Sequence, residues 1–302
     1  MLLKINLYHL FYLSILFATG LVFTSCYKFE GAETVPSYIQ IDSILLETYY
    51  PEQGSNSHAI KDVWIYENDE LIGAFELPAL LPVLASGNKE LEIRPGIKVN
   101  GISSTRAPYP FYQPIIYEDF EFIPDSIKYI SDPTTVYYSN LNFGWIEDFE
   151  RPGLTLTESS SSDTVIVRTQ PANNPDAFLT KHSKYSGLIS LNTNAQVYSA
   201  SSSNSFPIPK QGSPTLLEVN YKSDNYINVG IIIQENSTFI KIPLVIINHS
   251  DHWNKIYINL GPNLSLHPQA TDFKVFFESV LENDALSASI YLDNIKLINR
   301  PY

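Results

Sequence analysis

The chain has 302 residues, 32 of them Asp or Glu against 19 Lys or Arg, for a formal net charge of −13 at pH 7. An acidic excess of that size excludes nucleic acid, which calls for a basic face, and disfavours adsorption to an anionic membrane surface. The single cysteine excludes a disulfide within the chain, and 20 Tyr and 16 Phe among many Ile and Val are the composition of an extracytoplasmic protein built from strands.

The chain opens with a short basic start, Met1 to Lys4, then a nearly unbroken apolar run from Ile5 to Phe23, then Thr24-Ser25-Cys26. That order is a secretory signal. The run is close to the roughly 20 residues a spanning helix needs, so a permanent signal anchor is the rival reading. Val22-Phe23-Thr24-Ser25-Cys26 resembles the lipobox of bacterial lipoproteins, departing from it at Phe23, where a smaller apolar residue is usual. The resemblance implies a signal peptide over 1–25, acylation of Cys26 (diacylglycerol and palmitate) and a lipidated tether over 26–36. The partner is then a lipid bilayer, and the location the outer membrane of the cell envelope. An ordinary secreted protein with a cysteine near the cut is the plainer alternative. Asp42-Ser43-Ile44, Asp125-Ser126-Ile127 and Asp163-Thr164-Val165 resemble the O-glycosylation sequon of Bacteroidota, in keeping with that reading.

From Tyr38 the pattern alternates, with Ile39, Ile41 and Ile44 in strand context. Val63 and Ile65 alternate with Trp64 and Tyr66, Glu67 to Glu70 supply a turn, and Leu71 to Leu77 return, which predicts a hairpin. A second strand pair, broken at Ser86-Gly87-Asn88, is expected in the following stretch. No segment has helical period, and the Pro and Gly punctuation is that of a β-sandwich. Residues 37–120 resemble small immunoglobulin-like or transthyretin-like modules. The aromatic stretch Ser104 to Phe122 reads either as an exposed binding strip or as a crossing chain that packs its own rings.

Residues 121–144 read as a connecting segment. From Trp145 the style changes: "WIEDFERPGLTL", "YSGLISL" and a closing "YLDNIKL" frame strands that resemble jelly-roll domains of the carbohydrate-binding, galactose-binding-like type. The resemblance covers 145–302 and implies an all-β chain, a β-sandwich followed by a β-jelly-roll. It places "ESSSSD" and "SASSSNS" in or beside loops. It implies that the first and last strands are neighbours and that Glu150 and Asp293 hold a structural calcium with backbone carbonyls, an oxygen shell suited to that ion; solvated edge charges are the bland alternative.

Catalysis finds no support. A glycosidase needs two carboxylates flanking a sugar, whereas Glu147 and Glu150 sit an odd number of residues apart and point to opposite faces of a strand. No Gly-x-Ser-x-Gly elbow or phosphate loop occurs, and His249 and His252 read as a polar turn. For glycan binding, rings must be exposed on a rigid face; the candidates are Tyr221 and Tyr226, flanking an expected loop, and Trp253 at a strand start. The expected protein is therefore a non-catalytic outer-membrane lipoprotein whose roll binds carbohydrate, or else an accessory subunit docking onto an outer-membrane protein complex.

Overall fold

The computed structural model describes residues 35–209, 212–236 and 238–301. The segment expected to be a signal peptide, 1–25, and Cys26 lie outside the described residues. Within them the chain is all-β, two sandwiches in series, and its only helices are single turns at Tyr50–Gln53 (α1) and Gly261–Ser265 (α2).

The first sandwich holds β1 (Ser37–Ile41), β2 (Leu45–Glu47), β3 (Asp62–Glu67), β4 (Glu70–Glu76), β5 (Ala79–Val83), β6 (Gly87–Lys98), β7 (Arg106–Pro108), β8 (Ile115–Phe122), β9 (Ile127–Tyr129) and β10 (Thr134–Val136). One five-stranded sheet runs β4-β3-β6-β7 with β8 also on β6. Facing it are β5-β1-β9 and the β10-β2 pair. The predicted hairpin is β3–β4, closed by Asn68 and Asp69, both at positive φ as a tight hairpin turn requires. The second expected strand pair does not form. β5 pairs with β1 and β6 with β3, so Leu84 to Ser86 carry the chain between sheets, with Ala85 plugged into the core. The stretch 121–144 is more than a connection, because β9 and β10 lie parallel to β1 and β2 and complete the sandwich. Tyr109, Phe111, Tyr112, Phe120 and Phe122 are buried, so the aromatic stretch packs its own rings.

The second sandwich holds β11 (Asn142–Glu147), β12 (Leu156–Glu158), β13 (Ile166–Thr169), β14 (Ser186–Asn192), β15 (Val197–Ser202), β16 (Phe206–Pro207), β17 (Thr215–Ser223), β18 (Ile227–Glu235), β19 (Thr238–Ile247), β20 (Ser250–Asn259), β21 (Ala270–Val280) and β22 (Ser287–Asn299). Two six-stranded antiparallel sheets form this roll: β13-β14-β22-β17-β20 with β11 on β22, and β12-β15-β21-β18-β19 with β16 on β21. The first and last strands are neighbours, as expected. Of the two serine runs, Ser159 to Ser162 form a turn, but Ser199 to Ser202 lie in β15, held by β12 and β21 on either side with Ala200 turned inward.

The sandwiches share a buried seam. Leu216, Tyr257 and Ile298 of the roll belong to the apolar core of the first sandwich. At the seam Glu218 is fully buried: one carboxylate oxygen accepts Tyr109 OH at 2.6 Å and Tyr137 OH at 2.9 Å, and the other lies 2.8 Å from Lys255 Nζ. Burial pushes the Glu218 carboxyl up, but Lys255 and Lys296 outweigh it and hold the group below the ordinary glutamate range.

Candidate functional site

At the junction of β11, β14 and β22 the chain makes two irregularities that meet. β22 pairs with β14 up to Leu292 and with β11 from Ile295, leaving Asp293 and Asn294 between them, Asn294 at positive φ. After β11 the chain reverses through Asp148 and Phe149, the latter also at positive φ. Glu147 accepts the amides of Phe149 and Thr155 and the Thr155 hydroxyl. Asp148 accepts Tyr50 OH at 2.8 Å. Here Glu150 and Asp293, expected to share a calcium, have other occupations.

One Glu150 oxygen accepts the amides of Lys184 and Tyr185 at 2.5 and 2.8 Å. The carbonyls of Phe149 and Glu150 accept the Arg168 guanidinium at 2.6 and 3.1 Å, which also lies 4.0 Å over the Tyr185 ring. Asp293 is fully buried, with Oδ1 accepting the Asn294 amide and Oδ2 unpartnered. Burial, then the charges of Asp148 and Glu150, push its carboxyl well above the usual range against the pull of that amide. Asp293 Oδ2 and Asn220 Oδ1, on the paired position of β17, are both buried oxygens without a hydrogen-bond partner. Among the described residues, however, no group of three or more His, Cys, Asp or Glu could hold a metal. The loop carbonyls of Phe149 and Glu150 are covered by Arg168, and one Glu150 oxygen is held by two backbone amides.

The three ring candidates do not converge. Tyr221 lies inside β17, half-buried against the roll's core, so it is no loop residue. Tyr226 stands just before β18, 47 % exposed, its ring 4.5 Å from that of His249. Trp253 lies in β20, packed on Phe178 at 4.9 Å with its indole N–H donated to the Asp176 carbonyl at 2.8 Å. A stacking plane occupied by a phenylalanine on one side and pinned at its edge is a packing residue first.

The first sandwich covers part of the roll's β17–β22 sheet and leaves the outer face of the β21–β18 sheet free. Two rings lie on that face: Phe276, against Gly230 and beneath the Lys241 ammonium at 4.5 Å and only 1 % exposed, and Phe239 of β19, opposite Gln234 and 68 % exposed. Lys241 is paired with Glu278, which also accepts the Ser199 hydroxyl. This pair covers Phe276, whereas Phe239 reaches solvent.

A concavity lies instead at the end of the roll beside β16, which pairs with β21. Asn142 of β11, Thr215 of β17 and Asn299 of β22 approach Asn204, Ser205 and Phe206 around a cavity of about 440 Å³. Asn142 donates its amide to Asn299 Oδ1 at 3.0 Å. Phe206, stacked on Trp145 and tilted against Phe273, gives one wall and Pro207 and Pro209 extend it. These residues were missed in the sequence. The available signal was Phe-Pro set within a Ser/Asn run, "SNSFPIP".

No family model and no curated protein matches the chain. Among solved structures it is similar to the enzymatically active domain of tailspike protein 4 of bacteriophage CBA120, at 12% identity and TM-score 0.37 over 53% of this chain and 19% of that one. It thus spans less than a fifth of that chain's length. It is similar to a carbohydrate-binding module of the β-sandwich superfamily, at 12% identity and TM-score 0.34 over 78% and 84% of the two chains. The family 11 carbohydrate-binding module of the cellulosomal cellulase Lic26A-Cel5E of Clostridium thermocellum is similar at 14% identity and TM-score 0.32, over 52% and 95%. None of these likenesses assigns a ligand or a reaction to this chain.

Proposed function

We propose that the chain is a non-catalytic, lipid-anchored carbohydrate-binding protein of the outer membrane, taking a neutral sugar in the cavity at the end of the roll. The observation that supports it is the lining: amides and hydroxyls from Asn142, Asn204, Asn299, Ser205 and Thr215 against a Phe206–Pro207 wall. Among the described residues no ionisable side chain lines the cavity, although the chain carries a net charge of −13. Amides both donate and accept, as hydroxyl-rich ligands require, and an apolar wall suits the C–H face of a sugar ring. The anchor rests on Val22 to Cys26.

Titration calorimetry of the full chain in detergent with neutral mono- and disaccharides tests the site. Binding is expected for at least one sugar, weakened about ten-fold by Asn299→Ala or Asn204→Ala, roughly the 1.4 kcal/mol of one or two lost hydrogen bonds. Absence of binding across the panel removes the cavity reading. Cys26→Ser is expected to release the protein from membranes; unchanged fractionation and terminal mass remove the anchor.

A second reading, an accessory subunit docked on an outer-membrane protein complex, is favoured by the outward face of β5-β1-β9. There Leu80 and Tyr129 flank Gln40, and Pro82 and Ile127 flank Tyr38. Leu80, Ile127 and Tyr129 are exposed, and β1 directly follows the tether expected over 26–36. A stable protein partner recovered from detergent-solubilised membranes, lost in Leu80→Glu and Tyr129→Glu, is the result that selects it.

A further inference from the structure

Strand β3 alternates Val63 and Ile65 into the core with Trp64 and Tyr66 out of it. The two outward rings belong to neither apolar core, and both are half-buried on the outer face of the five-stranded sheet. The register fixes their neighbours. Trp64 lies between Ala74 of β4 and Arg94 of β6, Tyr66 between Leu71 and Glu92, and Asp62 between Glu76 and Gly96.

Three features turn this face into a platform. A Cβ at Gly96 would stand 2.9 Å from Asp62 Cβ and 3.0 Å from Trp64 Cδ1, so the missing side chain is what lets the indole lie down across β6. The Arg94 guanidinium lies 4.3 Å over the Tyr66 ring while its Nε donates to Glu92 at 2.6 Å. On the other flank Arg106 bridges Asp62 at 2.5 Å and Glu76 at 2.9 Å. Two buried polar atoms beside the indole, Trp64 Nε1 and Asp62 Oδ2, have no hydrogen-bond partner. The charges cancel locally: Arg94, Arg106 and Lys98 face Glu92, Asp62 and Glu76.

We infer that this face is a second glycan site, a platform for the interior of a neutral polysaccharide chain. Residues two apart on a strand are about 6.7 Å apart, so the Trp64 ring and the Arg94 guanidinium layered on Tyr66 can underlie neighbouring sugar units. An indole plane binds the C–H face of a pyranose. Arg–carboxylate pairs at each side present donors and acceptors in fixed geometry to vicinal hydroxyls. A flat strip made of the Trp64 ring and the Arg94-capped Tyr66 ring, open at both ends, accepts the middle of a chain, whereas the cavity of the roll accepts an end. The inference shares with the proposed function only its ligand class, and it occupies a different sandwich.

The test is affinity electrophoresis of the full chain through gels holding mixed-linkage β-glucan, galactomannan or dextran, with melting curves on every variant. At least one polymer is expected to retard the wild type. Trp64→Ala is expected to raise the dissociation constant ten-fold or more, with Trp64→Phe between the two. Tyr66→Ala and Arg94→Ala serve as independent probes if Trp64→Ala melts early. Leu286→Ser, at an exposed position of the roll outside both sites, is expected to leave retardation unchanged. Retardation that survives Trp64→Ala and Tyr66→Ala in folded protein overturns the platform, and if Asn299→Ala abolishes it the cavity stands alone. No retardation by any of the three polymers also overturns the platform, whatever the cavity does with small sugars.

Discussion

Tyr109 of the first sandwich donates its phenolic hydrogen to Glu218 of the roll across 2.6 Å, and neither side chain reaches solvent. Tyr137 donates to the same oxygen, and Lys255 neutralises the other. A buried carboxylate is tolerated only when its charge is paired and its lone pairs are occupied. Both conditions are met here by residues drawn from two sandwiches, so each sandwich completes the other's polar interior.

Removing one hydroxyl leaves a buried charged acceptor short of a donor. Tyr109→Phe and Tyr137→Phe are each expected to cost about 1–3 kcal/mol in urea unfolding of the full chain. Because both bonds end on one oxygen, the double variant should depart from additivity by about 0.5 kcal/mol or more. Additive losses below that size mean that the carboxylate does not join the two hydroxyls.

Lys296 gives the seam a pH signature. Burial, then Lys255, pulls its pKa from the ordinary 10.5 down to about 7, against the pull of Glu218 and Asp148. Between about 7 and 10 the unfolded chain therefore holds a proton that the folded chain has released, and stability should rise with pH. Above about 10 the trend should reverse. There unfolded tyrosines ionise, while burial holds the phenols of Tyr109, Tyr112, Tyr137 and Tyr257 up in the folded state. Unfolding midpoints from pH 7 to 11 should show the rise in wild type and its loss in Lys296→Met; parallel curves contradict the assignment.

The junction loop makes an opposite prediction for Asp293. Its folded carboxyl holds a proton to higher pH than the unfolded one, so its contribution falls as pH rises above about 4. Asp293→Asn should be more stable than wild type at pH 7, by about 1 kcal/mol or more, and no more stable below the ordinary Asp pKa. Millimolar calcium and chelator should give the same melting temperature. A calcium-dependent rise restores the ion and displaces Arg168 from its role.

Gly230 is where the roll's backbone comes closest to its own side chains. A Cβ there would stand 2.2 Å from the Ile242 carbonyl oxygen and 2.5 Å from the Phe276 ring. Gly230→Ala should cost about 2 kcal/mol or more, since overpacking against backbone cannot be relieved by a rotamer change. A melt within a degree of wild type shows that β19 can move aside.

What could be read in the sequence was local. The β3–β4 hairpin declares itself through alternation and Asn68-Asp69, and the neighbouring of β11 and β22 followed from the resemblance of "WIEDFE" and "YLDNIKL" to one fold. β9 and β10, of three residues each, are too short to show a period, and they pair with strands far back in the chain. Tyr221 was placed in a loop because "KSDN" looks like a turn, yet Lys222 and Ser223 still belong to β17 and the reversal begins at Asp224. Nothing in the sequence sets Glu218, Lys255 and Lys296 apart from other strand charges. Their burial comes from the docking of another sandwich, which no local pattern encodes.

The seam also settles how the protein can be divided. Cut near Asn142, the roll would present Leu216, Tyr257 and Ile298 to water together with a glutamate stripped of two of its donors, and the first sandwich would lose part of its own core. The halves are therefore not modules that recombination, limited proteolysis or a truncated expression clone can separate cleanly. They fold, and fail, together.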